Sequence, residues 1–231
     1  MTLKESPAGN NTLRSNAGYI LAGIIILILV ADQVLKIWVK THFYLGEEYE
    51  ITPWFLLKFI QNNGMAFGME LMSKIILTFG RIIAVILFIW GLYKVLDCKG
   101  VRFGFLLSFA LIIAGAAGNV FDCVFYGEIF NNPMPPEVAT IFPEGGGYAG
   151  WFEGRVVDML YFPLFSFTWP EWMPGIGGKT FEFFEYIFNL ADASITIGVL
   201  LLIFFYSKDL GVAWKHLQGK LQSKNKKAKE A

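Results

Sequence analysis

The residues of this chain that could do chemistry are carboxylates and amides set inside apolar stretches. FNLADASITIGVLLLIFFY, residues 188–206, opens with Asn189 and Asp192 before turning wholly apolar. Three residues apart, the two share one face of a helix. Asp32 and Lys36 interrupt an earlier apolar stretch at i,i+4 spacing, and Asn119 and Asp122 repeat the three-residue spacing inside GNVFDC. A carboxylate within a membrane-length helix is costly in hydrocarbon and faces a cavity or a partner, which makes each a functional candidate. Each also has a structural reading. Asp32 and Lys36 suit an intrahelical ion pair, and Asn119 and Asp122 suit hydrogen bonding between helices. Gly115 and Gly118, among Ala114, Ala116 and Ala117, fit close helix packing better than phosphate binding, because no Walker-type lysine follows. His42 and His216 are far apart in the chain, so neither a zinc site nor a serine–histidine pair has its ligands. What remains is acid–base work by carboxylates alone. Two aspartates held close cannot both ionise, and while they share one proton, one member can take a proton from water as the other donates to the carbonyl under attack. Amide hydrolysis is thus available, with Asp122 and Asp158 both open as partners for Asp192 and with roles that belong to the pair.

The elements that must position these groups are membrane helices. With 55% hydrophobic and 16% charged residues and a mean hydropathy of +0.51, the chain is too apolar for an ordinary soluble domain. We read one integral membrane domain over 1–231, with spans at about 18–39, 74–96, 103–126 and 187–206. Arg81 is the one interior charge of the second span. Met1 to Ala17 reads as a disordered lead-in, and the first span is uncleaved, because no small-residue cleavage site follows it. Two outer segments, 40–73 and 127–186, separate the spans, and a Lys-rich solvated tail follows at 207–231. The longer segment is rich in Gly, Pro, Trp and Phe and reads as a cap that dips into the membrane interface. Basic residues gather at Lys94, Lys99 and Arg102 and along the tail, which places both termini in the cytoplasm. On that topology Asp32, Asn119, Asp122, Asn189 and Asp192 all fall in the outer parts of their helices. Cys98 and Cys123 are then on opposite sides and stay unlinked. Net charge is zero, and no nucleic-acid partner is expected.

NNGMAFG, GNVFDC, VVDML and FNLADAS, in this order after a first helix bearing DQVLK, resemble the signature blocks of the bacterial lipoprotein signal peptidase family, signal peptidase II. The resemblance implies an all-α membrane fold with four transmembrane helices, a small outer-side β-cradle, here around Trp54 to Met69, and a periplasmic helix or loop over the site, a loop that is enlarged in this chain. It implies an inner-membrane aspartyl peptidase that cuts diacylglyceryl-modified prolipoproteins on the amino side of the lipidated cysteine. Metal and other cofactors are absent from that chemistry, and globomycin-type cyclic peptides and membrane lipid are the other partners of an expected monomer. By motif position Asp158 and Asp192 are catalytic. Asn62, Gly64, Asn119, Asp122 and Asn189 shape or hydrogen-bond the site, and Asp32 and Lys36 support the fold. Two departures stand out. Cys123 occupies a position where the family usually has arginine, with Arg155 as a replacement cation from the loop. About thirty residues separate GNVFDC from VVDML where the family has a short turn. The competing reading is a small transporter component in which Asp32, Asp122 and Asp192 line a proton or cation path.

Overall fold

The computed structural model describes residues 7–63 and 74–230. Its elements run α1 (Pro7–His42), β1 (Glu48–Thr52), β2 (Phe55–Asn62), α2 (Lys74–Val95), α3 (Phe103–Ile129), β3 (Val156–Tyr161), β4 (Phe165–Thr168), β5 (Thr180–Phe183), β6 (Ile187–Phe188), α4 (Leu190–Phe204) and α5 (Ser207–Glu230). Among the described residues, three helices are long and apolar enough to cross a membrane, through Asn16–His42, Lys74–Val95 and Phe103–Ile129. A fourth is added if α4 and α5, which meet at 84°, form one broken span. Backbone polar groups have no water to bond in hydrocarbon, so these stretches satisfy themselves as helices. Their exposed side chains, such as Ile26, Leu27, Ile86 and Leu87, suit lipid. The protein is a helical membrane protein with a small sheet.

The chain divides into two compact units. The first comprises Met1–Ala31, Gly80–Gly118 and Ala191–Ala231. Leu21, Leu92, Phe105, Ile113 and Ala213 belong to its core. Small residues let α3 and α4 approach closely. A Cβ at Gly115 would fall 2.1 Å from the Ala191 carbonyl oxygen, and one at Gly198 would fall 2.7 Å from that of Ser108. The packing role expected for Gly115 is the one observed. Arg102 clamps the bend between α4 and α5, its backbone N–H donating to Asp209 Oδ1 at 2.8 Å and its guanidinium to the Phe205 carbonyl at 2.6 Å.

The second unit comprises Asp32–Phe79 and Asn119–Leu190. Its sheet has the order β1-β2-β3-β6, antiparallel throughout, with Asp158 of β3 opposite Ile60 of β2. Side chains alternate along a strand, so Val157 and Met159 enter a core with Val39, Phe59, Tyr126 and Phe130, and Asp158 between them takes the other face. The chain after α3 folds back along that helix. Phe142 and Ala149 donate backbone N–H groups to the Ile129 and Gly127 carbonyls at 2.7 and 3.1 Å, capping acceptors that the helix end leaves open. A separate hairpin, β4–β5, lies between β3 and β6.

Three sequence expectations change, and the tail gains an element that its composition did not indicate. The cradle is not confined to Trp54–Met69, because β3 and β6 join it from the second outer segment; residues 64–73 lie outside the described set. Helix α1 already begins at Pro7, within the expected unstructured lead-in. The fourth apolar helix starts at Leu190 and not at Ile187, because Ile187 and Phe188 pair with Tyr161 and Leu160. The Lys-rich tail is helical as α5, whose Leu210, Ala213, Trp214 and Leu217 repeat at helical spacing.

Candidate active site

Within the second unit the polar residues converge on Lys36. Its ammonium donates to Asp32 Oδ2 at 2.8 Å, Asp122 Oδ2 at 2.9 Å and Asn119 Oδ1 at 3.0 Å, so three donors meet three acceptors. Asp32, Lys36 and Asp122 are each at most 1% exposed. Helix geometry explains the convergence. Asp32, Lys36 and Lys40 recur every four residues on α1, and Asp122 and Tyr126 do so on α3, with Phe130 just past its end. Gln33 ties the two helices together. Its amide donates to Asp122 Oδ1 at 2.8 Å and its carbonyl accepts the Tyr126 hydroxyl at 3.0 Å.

Asp122 also reaches the sheet. Its Oδ2 accepts the backbone N–H of Val157 at 3.2 Å, which fixes β3 against α3 one residue before Asp158. Asp158, 1% exposed, is met by Asn189, whose Nδ2 donates to Asp158 Oδ1 at 2.6 Å and lies 3.2 Å from both the Val157 carbonyl and Asn119 Oδ1. Asn189 sits between β6 and α4, so pairing of β6 with β3 delivers it to this place. A chain of direct contacts therefore runs from Asp32 through Lys36 and Asn119 to Asn189 and Asp158.

The remaining candidates sit on other segments of the chain. Asp192 belongs to the first unit, in the first turn of α4 beside Ala191, whose carbonyl is the one that Gly115 accommodates. Asn62 is exposed at the end of β2, opposite Val156. Gly64 lies outside the described residues. Arg155 stands over the Tyr148 ring at 5.4 Å, gives its backbone N–H to the Tyr148 hydroxyl at 2.6 Å, and has its guanidinium 3.4 Å from Gln61 Oε1. Gly154, just before it, donates to the Cys123 carbonyl at 2.8 Å, and a Cβ there would fall 2.0 Å from the Asp122 carbonyl oxygen. Cys98 and Cys123 are buried, reduced thiols.

Sequence reasoning missed Gln33, Tyr126, Lys40 and Tyr148. The first two were findable as polar groups adjacent to Asp32 and one turn after Asp122. Lys40 is 1% exposed and lies over the rings of Phe59, Phe130 and Tyr148 at 5.3 to 5.6 Å. Those rings come from distant parts of the chain, which no local pattern reveals. Burial pushes the Tyr148 phenol up to about 12. Among the described residues, no three His, Cys, Asp or Glu side chains group as metal ligands.

Residues 24–208 match the family model described as Signal peptidase (SPase) II. The lipoprotein signal peptidase of Porphyromonas gingivalis is 46% identical over 195 residues, covering 84% of this chain and 86% of that protein. That of Amoebophilus asiaticus is 38% identical, covering 78% of this chain and 75% of its own. A bacterial membrane enzyme solved by the in meso method at 2.3 Å resolution superposes with a TM-score of 0.53 at 25% identity, covering 83% of this chain and 89% of that one.

Proposed function

We propose, on the premise that the chain belongs to the signal peptidase II family, that Asp158 and Asp192 are the catalytic pair of an aspartic-type endopeptidase. The chain removes signal peptides from prolipoproteins, the function shared by its relatives, and the transport reading is left without support. The finer reading is a four-span inner-membrane protein, both termini cytoplasmic and the site toward the periplasm. It cuts on the amino side of a cysteine that already carries diacylglycerol. The carrying observation is the 2.6 Å hydrogen bond from Asn189 to Asp158 Oδ1. An acid–base carboxylate must be held in a fixed orientation, and the Asn189 amide supplies such a contact to Asp158. Asp192 follows Asn189 by three residues, so one short segment supplies both the group that orients Asp158 and its partner.

In this mechanism one aspartate takes a proton from the attacking water while the other, protonated, donates to the scissile carbonyl oxygen. The tetrahedral intermediate collapses as a proton passes to the leaving amide nitrogen. Lys36, Asp122, Asn119 and Gln33 hold β3 and Asn189 in register and act through them. Arg155 is the cation that replaces the arginine missing at Cys123, a reading supported by the adjacent contact of Gly154 with the Cys123 carbonyl.

The test is cleavage by purified protein of one prolipoprotein prepared with and without diacylglycerol on its cysteine. The lipidated form should be cut before that cysteine and the cut blocked by globomycin. Equal cleavage of both forms, or of neither, contradicts the substrate assignment. Arg155→Ala should weaken binding, seen as a raised KM; unchanged kinetics would remove Arg155 from the site.

A further inference from the structure

The first unit carries an apolar groove of about 510 Å³ between α2, α3 and α5, walled by Gly91, Val95, Phe105, Phe109, Leu210 and Trp214 among others. This volume falls within the roughly 300–1,000 Å³ usual for ligand pockets. Two glycines hold it open. A Cβ at Gly211 would meet nothing within 4 Å, and one at Gly91 would meet only the Phe109 ring at 4.0 Å. Glycine inside a helix costs about 1 kcal/mol relative to alanine, and no close packing requires it at either place. A second, polar pocket of about 340 Å³ is lined by Tyr93, Lys94, Leu96, Asp97 and Lys220.

The two spaces are linked along the chain. Val95 walls the groove, while its neighbours Lys94 and Leu96 line the polar pocket. On α5, Leu217 walls the groove and Lys220, one turn later, lines the pocket. Lys220 Nζ donates to both oxygens of Asp97 at 2.7 Å, and His216 Nε2 lies 3.4 Å from Asp97 Oδ1. Lys94 lies over the Trp90 ring at 5.8 Å and has no carboxylate partner among the described residues.

We infer that this pair of spaces binds one anionic phospholipid, an acyl chain in the groove and the phosphate between Lys94 and Lys220. The apolar wall would strand the donors and acceptors of a polar ligand, and a free phosphate would leave the groove unused. Two lysines against the single carboxylate of Asp97 leave an excess of positive charge, which favours a phosphodiester over a headgroup carrying its own cation. The bend of 84° between α4 and α5 directs α5 across the axis of α4. The inference rests on the reading that α2 and α3 cross the bilayer, and not on the peptidase chemistry.

The test uses the full chain in nanodiscs of equal phosphatidylglycerol and phosphatidylcholine, with retained lipid counted by native mass spectrometry after release. One phosphatidylglycerol per chain should outlast the rest, at least tenfold over phosphatidylcholine. Lys94→Gln with Lys220→Gln should abolish that preference, Gly211→Leu should lose retained lipid of both kinds, and Asp97→Asn should keep it. Added inorganic phosphate should leave the lipid in place. All variants should keep prolipoprotein cleavage, which separates loss of the site from loss of the fold. Equal retention of the two lipids by wild type, an unchanged preference in the lysine variant, undiminished lipid in Gly211→Leu, or displacement by phosphate each overturns the inference. Failure to enter nanodiscs at all, by contrast, removes the membrane reading and the inference with it.

Discussion

At the scale of single residues, Lys36 is the group on which the polar interior depends. Removing one partner of a buried charge network strands the others, at a cost of about 3–5 kcal/mol. Lys36→Met should therefore destabilise the protein by that order, because Asp32 and Asp122 would remain in a buried site without their shared cation. Cys98 and Cys123 are 3% and 1% exposed, so the onset of their labelling by a thiol-reactive dye during heating reports the loss. A midpoint equal to wild type would contradict the assignment. Tyr148 gives a pH-dependent counterpart. Its phenol is raised by burial to about 12 in the folded protein, against about 10 when unfolded. The unfolded chain ionises first, so stability present below pH 10 should be lost as pH rises through 12, on the order of 2 kcal/mol. In Tyr148→Phe that share of the alkaline loss should disappear from the unfolding curves. Identical pH profiles would show that the phenol does not carry it.

At the scale of elements, the segment between α3 and β3 is more than decoration, because its end seats β3. Gly154 lies against the Asp122 carbonyl, where a Cβ would come within 2.0 Å. Gly154→Ala must push the strand away from α3 and stretch the bond from Val157 to Asp122. An overpacking cost of about 1–3 kcal/mol is expected, with a fall in kcat larger than any change in KM. Gly115→Ala should loosen the α3–α4 contact by a similar amount, since its Cβ would lie 2.1 Å from the Ala191 carbonyl oxygen. Full activity with an unchanged unfolding midpoint in either variant would count against these contacts. The elements also show what the sequence could reveal. The apolar stretches of α1, α2 and α3 were legible from hydropathy and length alone. VVDMLY was not legible as a strand, because a short apolar run is ambiguous until its partners are known; its partners lie in β2, far away in the chain. The length of α5 was missed for another reason. A lysine-rich tail reads as solvated, and only the spacing of Leu210, Ala213, Trp214 and Leu217 hints at a helix with one apolar face.

At the scale of the whole molecule, the site was legible as a set of residue types and illegible as a set of contacts. Asp32, Lys36, Asn119, Asp122 and Asn189 were each singled out as polar groups in apolar surroundings, and direct contacts join them. That Asn189 would bond Asp158 depends on β6, two residues long, which has no signature of its own. In the proposed mechanism Asp158 and Asp192 carry the chemistry and Asp122 supports them. The most direct measurement is single-turnover cleavage of a diacylglyceryl prolipoprotein by wild type, Asp158→Asn, Asp192→Asn and Asp122→Asn, each shown to be folded by its unfolding midpoint. Asp158→Asn and Asp192→Asn should each lower the rate by about 10³-fold or more with globomycin binding retained, while Asp122→Asn should lower stability and leave measurable turnover. Turnover close to wild type in either of the first two variants would contradict the aspartyl pair.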